Sequence, residues 1–269
     1  MPHDDQVRTH AHISDAEWQK RCDLAALYRL VALFGWDDLI FTHISARVPA
    51  KDSLVKQPDG SYAPAEVDHF LINPYGTFFD EMTASDLVKI DIDGNAIGDN
   101  KAMINPAGFT IHSAIHSALG DAHFVLHLHT DAMTGVSAQK EGLLPLSQNS
   151  LLLRPQIAYH DYEGVALDLE ERARIVSDIG SKRVLILRNH GTLTWGSTAA
   201  EAFTIMYFLE QACRQQIAAL SAGRDNLIEV GQDIQDKVAP LAMGVGFVGM
   251  LTWPGLIRKL KRENPGYDQ

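Results

Sequence analysis

The segment Phe124-Val-Leu-His-Leu-His-Thr130 decides how the rest of the chain is read. Bulky apolar residues alternate with histidine, and successive side chains on a strand point to opposite faces. Phe124, Leu126 and Leu128 then share one face, while His127 and His129 project together from the other. We read residues 123–129 as a half-buried strand. Upstream, Asn105-Pro106 reads as an N-cap with proline at the first helical position, opening a helix that runs to Leu119 and stops at Gly120. Before it, Asp93-Gly94 between the β-type segments 88–92 and 95–97 is a strong hairpin signal. Residues 40–48 and 68–72 read as strands, the second ending in the turn Asn73-Pro-Tyr-Gly76.

The flanks extend the same alternation. Ser14-Asp-Ala-Glu17 reads as a capping box, followed by Leu24, Leu27, Tyr28, Val31 and Phe34 at helical spacing and closed by Gly35. Downstream, Asp168-Leu-Glu-Glu171 is expected to cap a helix ending at Gly180, and 184–188 is a short apolar strand. Thr198-Ala-Ala-Glu201 reads as another capping box, opening the longest helix, to about Ala222. Beyond Gly223 we expect a polar linker, a glycine-rich loop over 244–249 and an amphipathic helix from Trp253. Hairpins mixed with helices predict an α/β architecture with a mixed or antiparallel sheet. No long linker divides the chain, so 1–222 is expected to be one domain. Residues 223–269 would be an extension packing on it or on a neighbouring subunit.

Composition narrows the function. The 269 residues are 46% hydrophobic and 21% charged, values of an ordinary globular protein and not of a disordered one. A formal charge of -11 leaves no broad basic surface, which argues against nucleic acid as a partner. No apolar run is long enough for a membrane span, and the first residues lack the regions of a signal peptide. Cys22 and Cys213 cannot form a disulfide framework or a four-sulfur site, and both read as buried helix thiols. A reducing, cytoplasmic location is the expectation.

The chemistry is carried by histidine. His127 and His129, two apart on a strand, are placed to converge on one ion, although a merely solvated polar face gives the same pattern. His190 sits in Val184-Leu-Ile-Leu-Arg-Asn-His-Gly191, where a buried strand runs into a tight turn, and completes a three-imidazole set. His112 and His116 share a helix face at i, i+4, as acid/base groups or as helix histidines bonded to nearby backbone. With Ser113 between them they are no zincin motif. His43, His69 and His160 are weaker candidates, and His3, His10, His12 and His123 read as surface. Gly244-Val-Gly-Phe-Val-Gly249 matches the letters of a dinucleotide fingerprint but lacks its strand–helix–strand context.

Several blocks, in order, resemble the class II aldolase/adducin family, in its adducin-like branch. They are Phe41-Thr-His-Ile-Ser-Ala-Arg47, Phe70-Leu-Ile-Asn-Pro-Tyr-Gly76, Ala107-Gly-Phe-Thr-Ile-His-Ser-Ala-Ile-His116, Leu126-His-Leu-His-Thr130, Gly142-Leu-Leu-Pro-Leu-Ser147 and Leu187-Arg-Asn-His-Gly191. The resemblance implies a three-layer α/β/α fold with a central, largely antiparallel sheet, assembled as a homo-oligomer, usually a tetramer. It implies that His127, His129 and His190 hold one divalent ion per chain, zinc first, with manganese or iron also suited. It makes His43, Ser45, Tyr75, Gly76 and Asn189 substrate-binding candidates for a small molecule.

The departures matter as much. Sugar-phosphate members place an acidic residue near the start of the helix before the His-x-His strand, and counting back from His127 puts Gly108 there. Pro106 and Ala107 replace the small hydroxylic residues that hold phosphate, and Tyr75 stands where Thr is usual. The expectation is therefore a metal-dependent carbon–carbon lyase of aldolase or decarboxylase type that does not run the standard phosphosugar reaction. A carboxylate from elsewhere in the chain, or His112 or His116 from the same helix, would take over from the missing acid. The opposing expectation is a non-catalytic, adducin-like interaction module.

Overall fold

The computed structural model describes residues 12–164 and 168–269. His3 and His10 lie outside them. In chain order the elements are α1 (Asp15–Leu33), β1 (His43–Val48), β2 (Leu54–Lys56), β3 (Tyr62–Pro64), β4 (His69–Ile72), β5 (Val88–Ile90), α2 (Pro106–Ala118) and β6 (Phe124–Leu128). There follow α3 (Asp131–Ser137), α4 (Gln148–Leu153), β7 (Ile157–His160), α5 (Glu171–Ile179), β8 (Val184–Leu187), β9 (Gly191–Gly196), α6 (Ala199–Leu220), α7 (Gln232–Val238) and α8 (Val245–Glu263).

Seven strands form one sheet in the order β5-β4-β1-β6-β9-β8-β7. Every pairing in it is antiparallel except β7 with β8, and β2 with β3 make a separate two-stranded ribbon. The alternation in β6 sorts its side chains to two faces as read, but the strand runs only from Phe124 to Leu128 and is buried on both faces, not half-buried. Phe124, Leu126 and Leu128 join the core under α1 and α6 with Leu24, Leu27 and Phe203. Val125 faces the other way, into the core built by Ile111 and Ile115 of α2 and Ile175 and Ile179 of α5. Helices on both faces of a largely antiparallel sheet make the expected three-layer α/β/α fold.

Local chemistry shifts several boundaries. The first sheet strand begins at His43 and not at residue 40, because Leu39 and Thr42 take left-handed φ values of 50° and 64° that cannot continue a ladder. The 88–97 hairpin shrinks to β5 and a single bridge from Ile90 to Ala96. There Asp91 accepts from the Asp93 and Asn95 N–H groups, so the segment closes as a turn. Helix α5 starts at Glu171, later than the Asp168 cap would have it, and its N-cap Glu170 makes no side-chain cap.

Each capping box closes on one side only. Ser14 and Thr198 each accept from the N3 N–H, but Glu201 turns to the Ser197 N–H. Glu17 turns inward to Arg21 and Lys89. The glycine-rich stretch 244–249 is helix, not loop. There α8 lies against α6 so closely that a Cβ on Gly249 would stand 2.7 Å from the Ala200 carbonyl oxygen, and tertiary packing outweighs the poor helix propensity of glycine. The end of the chain also returns to its own body: Arg29 donates to Asn264 Oδ1 and to the Pro265 carbonyl, both at 2.6 Å.

Candidate metal centre

Two segments far apart in the chain deliver His127, His129 and His190 to one place. His127 lies on β6 opposite His43 of β1, and His129 follows directly after the end of β6. His190 belongs to the turn between β8 and β9, where Asn189 adopts φ 56° and the His190 N–H closes onto the Leu187 carbonyl at 3.1 Å. Gly191 lets that turn approach, since a Cβ there would stand 2.6 Å from the Leu128 carbonyl oxygen and 2.7 Å from His129 Cδ2. The ring centroids of the three histidines are 4.6–4.8 Å apart, and one nitrogen from each lies within 4.8 Å of the others.

The outer nitrogens are already committed. His127 Nδ1 donates to the Thr192 carbonyl and His129 Nδ1 to Asp38 Oδ2, each at 3.1 Å. With the proton on Nδ1, each Nε2 presents a lone pair inward, the arrangement that a carbonyl or carboxylate bonded to the far nitrogen imposes on metal-binding imidazoles. The two Nε2 atoms stand 2.8 Å apart. Two lone pairs at that distance repel unless a positive charge lies between them. A proton would relieve that one pair, whereas a divalent cation serves His190 as well. The residues therefore fit a metal ion, with one nitrogen donor from each of three imidazoles brought to one place.

Burial favours the neutral form that ligation needs at His127 and His190. It pushes His127 well below the usual histidine range, with His129 and His190 adding to the effect. His190 is lowered to about 4, again first by burial and then by His129.

Behind the cluster runs a buried row of polar side chains between sheet and α2. His43 Nδ1 and His112 Nε2 are 2.9 Å apart, His112 Nδ1 and Ser45 Oγ 2.6 Å, Ser45 Oγ and His116 Nε2 2.7 Å, and His116 Nδ1 and the Ala122 carbonyl 2.9 Å. The ring of His43 is 4.9 Å from that of His127. Burial lowers His43 to about 3, and burial followed by the Arg47 charge lowers His116 to about 3. His112 is pushed far down by burial and by its histidine neighbours.

This placement alters one expectation from the sequence. His112 is not the side chain beside the three-histidine cluster, because His43 stands between them, and His116 is further back. Ser45 joins the two helix histidines and does not face the cluster directly. Tyr75 and Gly76 occupy the turn after β4, held by the Tyr75 N–H on the Met103 carbonyl at 2.7 Å. Among the described residues they make no hydrogen bond or ring contact to the cluster. Asn189 is exposed and serves the turn that carries His190. His69 bonds Ser53 Oγ at 2.7 Å, and His160 lies among Glu171, Asp178 and Glu163. Sequence reasoning missed Asp38, whose carboxylate fixes His129 from 91 residues away.

Known proteins share this architecture. Residues 22–217 match the family model of the class II aldolase and adducin N-terminal domain. A Caulobacter vibrioides protein, placed among the class 2 aldolases by name alone, is 60% identical over 256 residues, covering 95% of this chain and 94% of that protein. Alpha-adducin of Rattus norvegicus is 44% identical over 213 residues, 77% of this chain but 27% of the adducin. The crystal structure of an aldolase II superfamily protein from Pseudomonas syringae superposes with a TM-score of 0.86 at 47% identity, over 96% of this chain and 98% of that one. On these matches and on the fold beneath them, the chain belongs to the class II aldolase and adducin family.

Proposed function

We propose that the protein is a divalent-metal-dependent lyase-type enzyme acting on a carbonyl or carboxylate of a small polar substrate, by aldol cleavage or decarboxylation. The observation that carries this reading is the 2.8 Å approach of two inward nitrogens whose outer positions are occupied, with His190 alongside. A bound divalent ion supplies Lewis-acid stabilisation of the oxyanion that both reactions develop. Zinc suits three imidazoles first, and manganese or iron fit the same donors. The chain's own part is to aim the His127 and His129 imidazoles inward, through the Thr192 carbonyl and Asp38. Gly108 offers no carboxylate at the start of α2, and Pro106 no side-chain donor for a phosphate. On this reading the protein does not run the standard sugar-phosphate aldolase reaction.

We further propose a cytoplasmic homo-oligomer, a tetramer by analogy with the family, with no nucleic-acid or membrane partner. In this reading residues 1–222 form the working domain and 223–269 brace it. The adducin likeness favours a second reading, a non-catalytic interaction module.

One assay separates the two. The zinc-, manganese- or iron-loaded protein is screened against hydroxy and keto acids, following carbon dioxide or aldehyde release. The enzyme reading predicts turnover of one class, lost on chelation and restored by metal, with no cleavage of fuculose or ribulose phosphates. Brisk cleavage of those phosphates contradicts the substrate assignment. A metal-free protein, inert throughout and equally stable after chelation, supports the interaction module.

A further inference from the structure

A cavity lies at one edge of the sheet, away from the three histidines. It measures about 290 Å³ and is walled by the start of α1, the β2–β3 ribbon, β5 with the residues before it, and the turn 97–100. Strand β5 is at the edge, with β4 and β1 between it and β6. Three ladder spacings of about 4.8 Å therefore separate this edge from the strand that carries His127.

Part of the cavity wall is charged. Glu17, Arg21 and Lys89 all contribute to it, although each is nearly closed to solvent. Glu17 commits both carboxylate oxygens. Its Oε1 accepts from Arg21 Nε at 3.0 Å and Nη2 at 2.9 Å, and its Oε2 from Lys89 Nζ at 2.9 Å. Backbone carbonyls take most of what remains: Arg21 Nη1 donates to Ala84 at 3.3 Å and Leu87 at 2.9 Å, and Lys89 Nζ to Leu54 at 2.9 Å. A guanidinium has five N–H groups and an ammonium three. One N–H on Arg21 and one on Lys89 are thus left without a partner among the described residues. Two positive charges also share a single negative one, and a surplus buried cation is costly without its counter-charge. The Lys89 charge is felt nearby, where it follows burial in holding His69 below the usual histidine range.

The remaining wall does not cancel that charge. Lys56 and Asp99 sit at the exposed rim and offset one another, with Asp99 facing His12 at 3.6 Å. Ile13, Leu54, Val55, Leu87 and Ile97 supply aliphatic surface. Gly98 leaves the space open beside Lys89, since a Cβ on it would stand 3.9 Å from Lys89 Cβ, an ordinary contact.

We propose that this cavity is a binding site for a small monocarboxylate with a short apolar body, its carboxylate meeting Lys89 and Arg21. One negative charge matches the surplus, and the aliphatic wall takes the hydrocarbon. A phosphate dianion would exceed that charge and meet the carbonyls of Leu54, Ala84 and Leu87 that already surround the cations. The site is independent of the metal-centre reading.

Calorimetric titration of the full chain with 3-methylbutanoate, 3-methylbutanamide, acetate and inorganic phosphate tests it. The branched acid should bind once per chain, at least about tenfold more tightly than its amide, the scale of a lost charge-assisted hydrogen bond. It should exceed acetate by about tenfold too, because acetate lacks the hydrocarbon for the aliphatic wall. Gly98→Leu, which fills the space and keeps every charge, should abolish binding. So should Lys89→Met, which removes the surplus charge and leaves the Glu17–Arg21 pair. If one of these variants fails to fold, the other decides, since they act by different means. His190→Ala, which removes a nitrogen from the three-histidine cluster, should leave the affinity unchanged. No saturable binding of the acid, equal affinity for acid and amide, tighter binding of phosphate, or binding that survives in a folded cavity variant overturns the site. Loss of binding in His190→Ala would move the carboxylate to the metal centre and overturn it as well.

Discussion

A histidine kept neutral by burial makes stability depend on pH, and the sign can be worked out for His116 and His112. Unfolded, each titrates near the ordinary histidine value of about 6.5. Folded, His116 is held at about 3 by burial and Arg47, and His112 also lies far below its usual range. Between those limits the unfolded chain binds more protons, so stability is complete above about pH 6.5 and falls as the solution is acidified. Each of the two should contribute a slope of about 1.4 kcal/mol per pH unit. Urea unfolding of the metal-free protein from about pH 7 to about pH 5 measures it, and a flat profile would mean that these rings are charged or solvated. At this scale His127 and His129 were legible because a period of two needs no tertiary information, and His190 because strand and turn adjoin in the chain. His43 was visible only as a weak candidate. Its position depends on the β1–β6 register and on a glycine 65 places away, neither of which spacing reveals.

Helix α2 meets the sheet at Gly108, where a Cβ would lie 2.6 Å from His43 Cδ2, and that contact gives a prediction about an element. Gly108→Ala should cost about 1–3 kcal/mol, the usual penalty of overpacking a filled interior, although alanine favours helix. The same substitution in a His43→Ala background should cost much less, because the ring in the way has gone. A double-mutant cycle by urea unfolding reads the difference, and additive effects would contradict the contact. The long helices were legible from their apolar period and caps, α1 and α6 to within a few residues at their ends. The short elements were not. Strands β2 and β3 have three residues each and α3 has seven, too few for a period to show. Helix α8 was half hidden because its glycines argue locally for a loop, while contact with α6 decides otherwise.

Across the whole molecule, one buried ion network ties distant parts of the chain together. Glu17 on α1 is fully buried and takes Arg21 and Lys89, each at 2.9 Å, while Lys89 on β5 also donates to the Leu54 carbonyl of β2. Glu17→Gln would leave two buried cations without their carboxylate, and unfolding should show a loss of about 3–5 kcal/mol. A change below about 1 kcal/mol would mean that water reaches the cluster. The layered architecture was legible in the alternation of helix and strand. The strand order was not, because pairing β1 with β6 across some 80 residues is a tertiary decision that no local pattern records.

The central claim is that three imidazoles from β6 and the β8–β9 turn grip one cation. Anomalous diffraction at the zinc edge, from crystals of the zinc-loaded protein, tests it most directly. One peak per chain is predicted, about 2.0–2.1 Å from a nitrogen of each of His127, His129 and His190, and absent in His190→Ala. No peak among these rings, or one that persists unchanged in that variant, would contradict it.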